Sequence, residues 1–202
     1  MRPMTETGRR PLTREAVVAS ARELVTAEGV DGASLRKLAR RLGVTAPALY
    51  AYVEDREDLL RAVAQDALGQ LGHRFDEIDT DDPLERLRQQ CRRYVDFAVE
   101  NPDLFAAMFI FPPELPVAAP LGIESDAATT VFTQAATAIE EAASAGAIDP
   151  PDDPLLAALS MWATVHGVAT VLTMGFDFDD RTRLRLVDQA VQGVLATLGV
   201  HD

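Results

Sequence analysis

The sequence predicts an all-α protein. Apolar residues recur at spacings of three and four along nearly its whole length, no stretch alternates as a strand would, and prolines and glycines mark the ends of most of the periodic segments. Hydrophobic residues make up 48% of the 202 and charged residues 25%, the balance of a water-soluble chain with a real core.

The elements follow in order. Thr13 is a good N-cap for a first helix whose Ala16, Val17, Ala21, Leu24 and Val25 share a face. Gly29 ends it by adopting the left-handed conformation, with Val30 folding back as the hydrophobic contact. Ser34 caps a second helix, in which Leu35, Leu38, Ala39 and Leu42 form the apolar stripe and Arg36, Lys37, Arg40 and Arg41 lie off it. Gly43 ends that helix, Val44 points inward, and Thr45 caps a third helix with Pro47 in its first turn, where a missing N–H is harmless. Asp55 caps a fourth helix over 56–72.

Asp82, Pro83 and Glu85 start a fifth helix, which runs to Asn101–Pro102. The short helix PDLFAAMFIF stops at Pro112–Pro113, and PPELPVAAP is a loop. A longer helix covers 124–145 and ends at Gly146. Two final helices cover 154–174 and 180–198. The first of these, PLLAALSMWATVHGVATVLTMG, is the chain's most apolar stretch. Its Ala, Thr and Gly content and His166 favour a buried interface helix over a membrane span.

Charge divides the chain. Residues 1–50 hold nine basic and five acidic groups, a net of +4, which leaves −17 for the remainder of a chain whose total is −13. A basic head on an acidic body suits a polyanion partner met by the head alone. The N-terminus has arginines but no apolar signal-peptide core, and Cys91 is the only cysteine, so no internal disulfide forms. Both features suit the cytoplasm. No nucleophile with a nearby base, no phosphate-cradling glycine loop and no paired carboxylates point to an enzyme. The scattered histidines lack metal-site spacing, and neither metal nor cofactor is expected.

A helix, a tight glycine turn and a short helix make a helix-turn-helix, whose second helix enters the DNA major groove while the first crosses the backbone. The stretch DGASLRKLARRLGVTAPALYAYVEDREDLL resembles the DNA-binding domain of the tetracycline-repressor family, densely over residues 13–64. NPDLFAAMF and WATVHGV resemble pieces of one class of its regulatory domains. The resemblance implies a head over 1–64 and a helical ligand-binding and dimerisation domain over 65–202. It implies a repressor that binds a palindromic operator as a homodimer and is released by a small-molecule inducer.

Carried over residue by residue, it puts Arg36 against a guanine, with Lys37 beside it on the phosphate-facing helix. Thr45, Ala46, Pro47 and Ala48 fall against base edges, Tyr50 and Tyr52 beside phosphates, and Arg56 where the family has a phosphate-binding lysine. The third helix departs from the family in lacking Arg, Lys, Asn or Gln, so direct readout is thin there. A ligand-binding or interaction protein that no longer contacts DNA is the alternative. Tyr50 and Tyr52 also read as core aromatics.

The two final helices are apolar over more of their circumference than five or six helices can cover, so a second subunit is expected on them. Tyr94, Phe97, Met108, Phe109, Phe111, Phe132 and Ile139 fall on the helices that would enclose a pocket. The ligand set is Phe97, Met108, Phe111, Phe132, Trp162 and His166. For His166 three roles stand open: bonding a ligand, satisfying a backbone group, or sitting at the dimer seam.

Overall fold

The computed structural model describes residues 11–111 and 127–200. Among them are nine helices and no strand: α1 (Arg14–Gly32), α2 (Leu35–Leu42), α3 (Ala46–Leu49), α4 (Arg56–Asp76), α5 (Pro83–Glu100), α6 (Pro102–Ile110), α7 (Ala127–Ser144), α8 (Pro154–Thr173) and α9 (Asp180–Thr197). The all-α expectation stands. The start predicted for α7 at residue 124 and the PPELPVAAP loop lie outside the described residues.

Local chemistry sets most boundaries. The side chains of Thr13, Ser34, Asp55, Asp82, Asp153 and Asp179 each accept a backbone N–H in the first turn that follows. Pro83, Pro102 and Pro154 open α5, α6 and α8, where no intrahelical donor is lost. Gly43, at φ 65° and ψ 35°, closes α2; its N–H and that of Val44 return to the carbonyls of Arg40 and Ala39 at 3.2 and 2.9 Å.

Three predicted boundaries need correction. Gly29 does break α1, at φ 74° and ψ 171°, but one more helical turn follows, to Gly32. Thr45 sits at the N-cap position of α3 without a side-chain capping bond. Pro47 has no N–H to give, and the Ala48 N–H goes to the Thr45 carbonyl at 3.0 Å. The fourth helix does not stop at Gly72 but continues to Asp76. Gly72 is buried where α7 crosses: a β-carbon there would lie 3.6 Å from Gln134 Oε1 and 3.7 Å from Val131 Cγ2. Its missing side chain serves helix approach, not chain reversal.

One core runs from Val17 to Leu198. Helices α1, α6, α7 and α5 all pack on α4, and α5, α7 and α9 pack on α8. Leu38 and Leu49 bury the apolar sides of α2 and α3, while Leu59, Leu60, Val63 and Leu71 bury α4 along its length. Ion pairs join α1 to α4 at Arg14–Asp58 (3.2 Å) and Arg22–Asp66 (2.9 Å). The Arg14 hydrogen bond holds the Asp58 carboxyl below its ordinary range.

The last two helices leave an apolar face uncovered. Leu155, Leu156, Leu159 and Val171 of α8 are exposed, as are Met174 just beyond it and Leu184 of α9. By length and composition α8 could cross a membrane, with a mean hydropathy of 1.7, and 22% of its apolar window is buried within the chain.

Gly43→Ala places a β-carbon in the left-handed region and should lower stability by about 1–2 kcal/mol. The urea midpoint should fall with an unchanged slope, because the strain is local.

Candidate functional site

The α2–Gly43–α3 unit is rigid for ordinary reasons. Its inner side holds Leu38, Ala39 and Leu49 at 3% exposure or less, with Leu35, Leu42, Val44 and Ala46 packed against them. Its outer side carries exposed Arg36, Lys37, Arg40, Arg41, Thr45, Pro47, Ala48 and Tyr50.

Those cations are not equivalent. Lys37 is ion-paired to Glu28 and bonds the Gly32 carbonyl, so it is tied to the end of α1. Arg41 is paired to Glu23 of α1. Arg36 and Arg40 have no acidic partner among the described residues, and they stand one turn apart on the exposed side of α2. Arg40 was not among the residues singled out from the sequence, although its i, i+4 relation to Arg36 was visible there. The Thr45 hydroxyl makes no capping bond, and Tyr50 is 59% exposed.

Two predicted contact residues face elsewhere. Tyr52 is half-buried against the core, and its carbonyl accepts a hydrogen bond from Arg14. Arg56 turns its guanidinium inward: Nε donates to the Ala33 carbonyl at 2.8 Å and Nη2 to the Val30 carbonyl at 2.6 Å. It ties the start of α4 to the junction between α1 and α2. Arg56, expected at a phosphate, has a structural role in this conformation. Sequence spacing cannot reveal a partner 26 residues away.

A second constellation lies between α5, α6, α7 and α8. Phe105 and Phe109 have ring centres 4.9 Å apart, and Phe109 lies 4.2 Å from His166. His166 stacks on Trp162 at 5.1 Å, and Phe132 meets Trp162 edge-on at 5.6 Å. A polar relay threads these rings. Trp162 Nε1–H donates to Tyr94 Oη at 3.0 Å, and Tyr94 Oη lies 3.0 Å from His166 Nδ1. His166 Nε2 lies 3.4 Å from Thr170 Oγ1. Burial lowers the His166 pKa and raises that of Tyr94, so neutral imidazole and neutral phenol face each other.

Only part of the predicted ligand set meets here. Phe132, Trp162 and His166 come together, joined by Tyr94, Phe105 and Phe109. Phe97 does not: it is buried elsewhere in the core with the Arg74 guanidinium 5.1 Å over its ring. Met108 is buried, and half-buried Phe111 makes no ring contact with this cluster. Phe105 escaped notice because its helix is apolar on every side, and periodicity does not say which ring turns inward.

Beside the relay is a cavity of about 20 Å³ lined by Phe75, Gln90, Cys91, Tyr94, Phe132 and Trp162, among others. It is large enough for about one water molecule. Burial pushes the Cys91 thiol up to about 12, so it stays protonated and unreactive. No group of metal-ligating side chains is assembled among the described residues.

Comparison with known proteins covers both regions. The family model "Tetracyclin repressor-like, C-terminal domain" matches residues 87–194, and "Bacterial regulatory proteins, tetR family" matches residues 17–63. An uncharacterised HTH-type transcriptional regulator, YobS of Bacillus subtilis, is 32% identical over 49% of this chain and 52% of its own length. The class D tetracycline repressor protein of Escherichia coli is 44% identical over 28% of this chain and 26% of its own. The chain thus spans about half of the first relative and about a quarter of the second. A solved structure of a protein of unknown function from Rhodococcus sp. RHA1 superposes with a TM-score of 0.72 at 28% identity, covering 98% of this chain and 100% of that one.

Arg56→Met leaves two interior carbonyls without their charged donor and should cost roughly 2 kcal/mol in urea unfolding. A residue serving phosphate alone would leave stability unchanged. His166 contributes a pH dependence of defined sign. Its folded pKa lies below the ordinary 6.5, so the stability it confers is complete above that value and is lost as pH falls through the folded pKa. The melting temperature should drop between neutral pH and mildly acid pH, and His166→Gln should flatten that part of the profile.

Proposed function

Because the chain belongs to the tetracycline-repressor family of bacterial regulatory proteins, we propose that it is a cytoplasmic repressor that binds palindromic operator DNA as a homodimer and is released by a small-molecule effector. The reading divides the chain into a DNA-binding head over 1–64 and a ligand-binding and dimerisation body over 65–202. The observation that carries it is the exposed pair Arg36 and Arg40, free of acidic partners among the described residues, on the same rigid unit as exposed Thr45, Pro47, Ala48 and Tyr50.

In this reading Arg36 bonds a guanine through its planar fork, and Arg40 and Tyr50 take phosphates. Pro47 and Ala48 touch thymine methyls, and Thr45 offers a free hydroxyl, while Ala46 packs on the inner side of the unit. The uncovered apolar face of α8 and α9 meets the same face of a second copy across a two-fold axis. That arrangement sets two heads about one DNA turn apart and multiplies the few contacts each makes.

The effector site is the ring cluster around Trp162 and His166. Helix α6 brings Phe105 and Phe109 to it and also packs on α1 and α4. A ligand that moves Trp162 presses it on Phe109, 6.3 Å away, and thereby shifts α6, α4 and the heads. Coupling of this kind is typically about 1–3 kcal/mol and acts equally in both directions.

The test is fluorescence anisotropy with labelled DNA flanking the chain's own gene. Binding should weaken steeply with salt. Arg40→Ala should reduce the slope of log affinity on log salt by about one, for one lost phosphate contact. Arg36→Ala should relax the preference at one base pair per half-site by about 1–3 kcal/mol. Sedimentation should give twice the 21.9 kDa chain mass. No binding to that DNA, or a monomer that binds as well, would overturn the proposal.

A further inference from the structure

Gln90 is 4% exposed and lines the cavity beside the relay. Its Nε2 donates to the Gln134 carbonyl at 3.4 Å, but its Oε1 is enclosed and has no hydrogen-bond partner among the described residues. Turning the amide over does not help, because it would set Oε1 against the Gln134 carbonyl oxygen. Gln134 also has an unpartnered Oε1, but that side chain sits at the α4–α7 crossing, where its Nε2 bonds Asp76 and the Gly72 carbonyl. A buried acceptor without a donor is costly, and Gln90 Oε1 is such an atom on a residue that lines a cavity.

The relay limits what can approach it. Trp162 N–H donates to Tyr94 Oη, Tyr94 Oη is hydrogen-bonded to His166 Nδ1, and His166 Nε2 lies 3.4 Å from Thr170 Oγ1. Each polar atom of the ring cluster is thus engaged within the protein, and the open group is an acceptor. The cavity lining includes no Asp, Glu, Lys or Arg, so an ion entering it would lose its hydration without gaining a counter-charge. Half-buried Phe132 and Trp162, edge-on to each other, are the lining residues nearest solvent.

From this we infer that the effector is a small, neutral, planar aromatic molecule carrying a hydroxyl or N–H donor. Its ring inserts between Phe132 and Trp162 and its donor bonds Gln90 Oε1. The cavity of about 20 Å³ is the seed of the site, and the ring enters as these two side chains part. The inference rests on the reading of this cluster as the effector site and adds its chemical class.

Trp162 is the only tryptophan in the chain, so its fluorescence reports the site directly. The full-length protein is titrated with para-ethylphenol and para-ethylaniline, with para-ethylanisole as the matched ring that lacks a donor, and with para-ethylbenzoate as the charged one. At least one of the two donor compounds should quench Trp162 with about tenfold higher affinity than the anisole, the difference expected for satisfying a buried acceptor. Whichever binds tells O–H from N–H recognition, and the benzoate should not bind.

In Gln90→Leu, and in Gln90→Met should the first fold poorly, that preference should fall to near unity while the melting temperature is kept or raised. A merely structural glutamine would lower it. Equal affinities for phenol, aniline and anisole in the wild type, a preference that survives in the variant, tighter binding of the benzoate, or no quenching by any probe would overturn the inference. A separate arm adds the tightest probe to the DNA complex. If it binds at Trp162 yet leaves DNA retention unchanged, the ligand class stands and the effector reading fails.

Discussion

Everything in this molecule hangs on the burial of one helix from several sides at once. α4 is covered by α1, α5, α6 and α7, and Leu59, Leu60, Val63, Ala67 and Leu71 have almost no surface left. A helix packed like this moves as a rod, because close-packed interiors pass displacement on instead of absorbing it. Its first turn is bolted to the head by Arg14–Asp58 and by the two Arg56 bonds. Its last turns meet Gln134 and Val131 of the helix that carries Phe132. The two regions of interest are therefore opposite ends of one mechanical part.

Much of this was legible in the residues, because helix ends are local events. Thr13, Ser34, Asp55 and Asp82 accept N–H groups two or three residues away, and Pro83 and Pro102 act on their own turn, so their effects are written in adjacent positions. What escaped involved partners distant in sequence. Gly72 looks like a terminator until α7 is seen crossing it. Arg56 looks like a surface cation until the carbonyls of Val30 and Ala33 are placed beside it. Thr45 failed for a local reason that was readable, since Pro47 removes a donor its hydroxyl would need.

The ring cluster carries the same lesson at longer range. The sequence placed aromatic residues on the right helices but could not say which faced inward. Phe97 and Tyr94 lie three apart on α5. Tyr94 joins the relay to Trp162 and His166, while Phe97 packs under Arg74. A helical wheel puts them side by side, and the neighbouring helices decide.

The ties of Lys37 to Glu28 and of Arg41 to Glu23 bear on how such a head meets a polyanion. A cation already held by a carboxylate does not add a contact when a phosphate approaches; it exchanges one anion for another. The net gain is the difference between two similar attractions, and added salt weakens both together. These residues therefore act less as anchors than as a buffer that mutes indiscriminate adhesion. That leaves discrimination to the few side chains that enter the encounter without a prior companion.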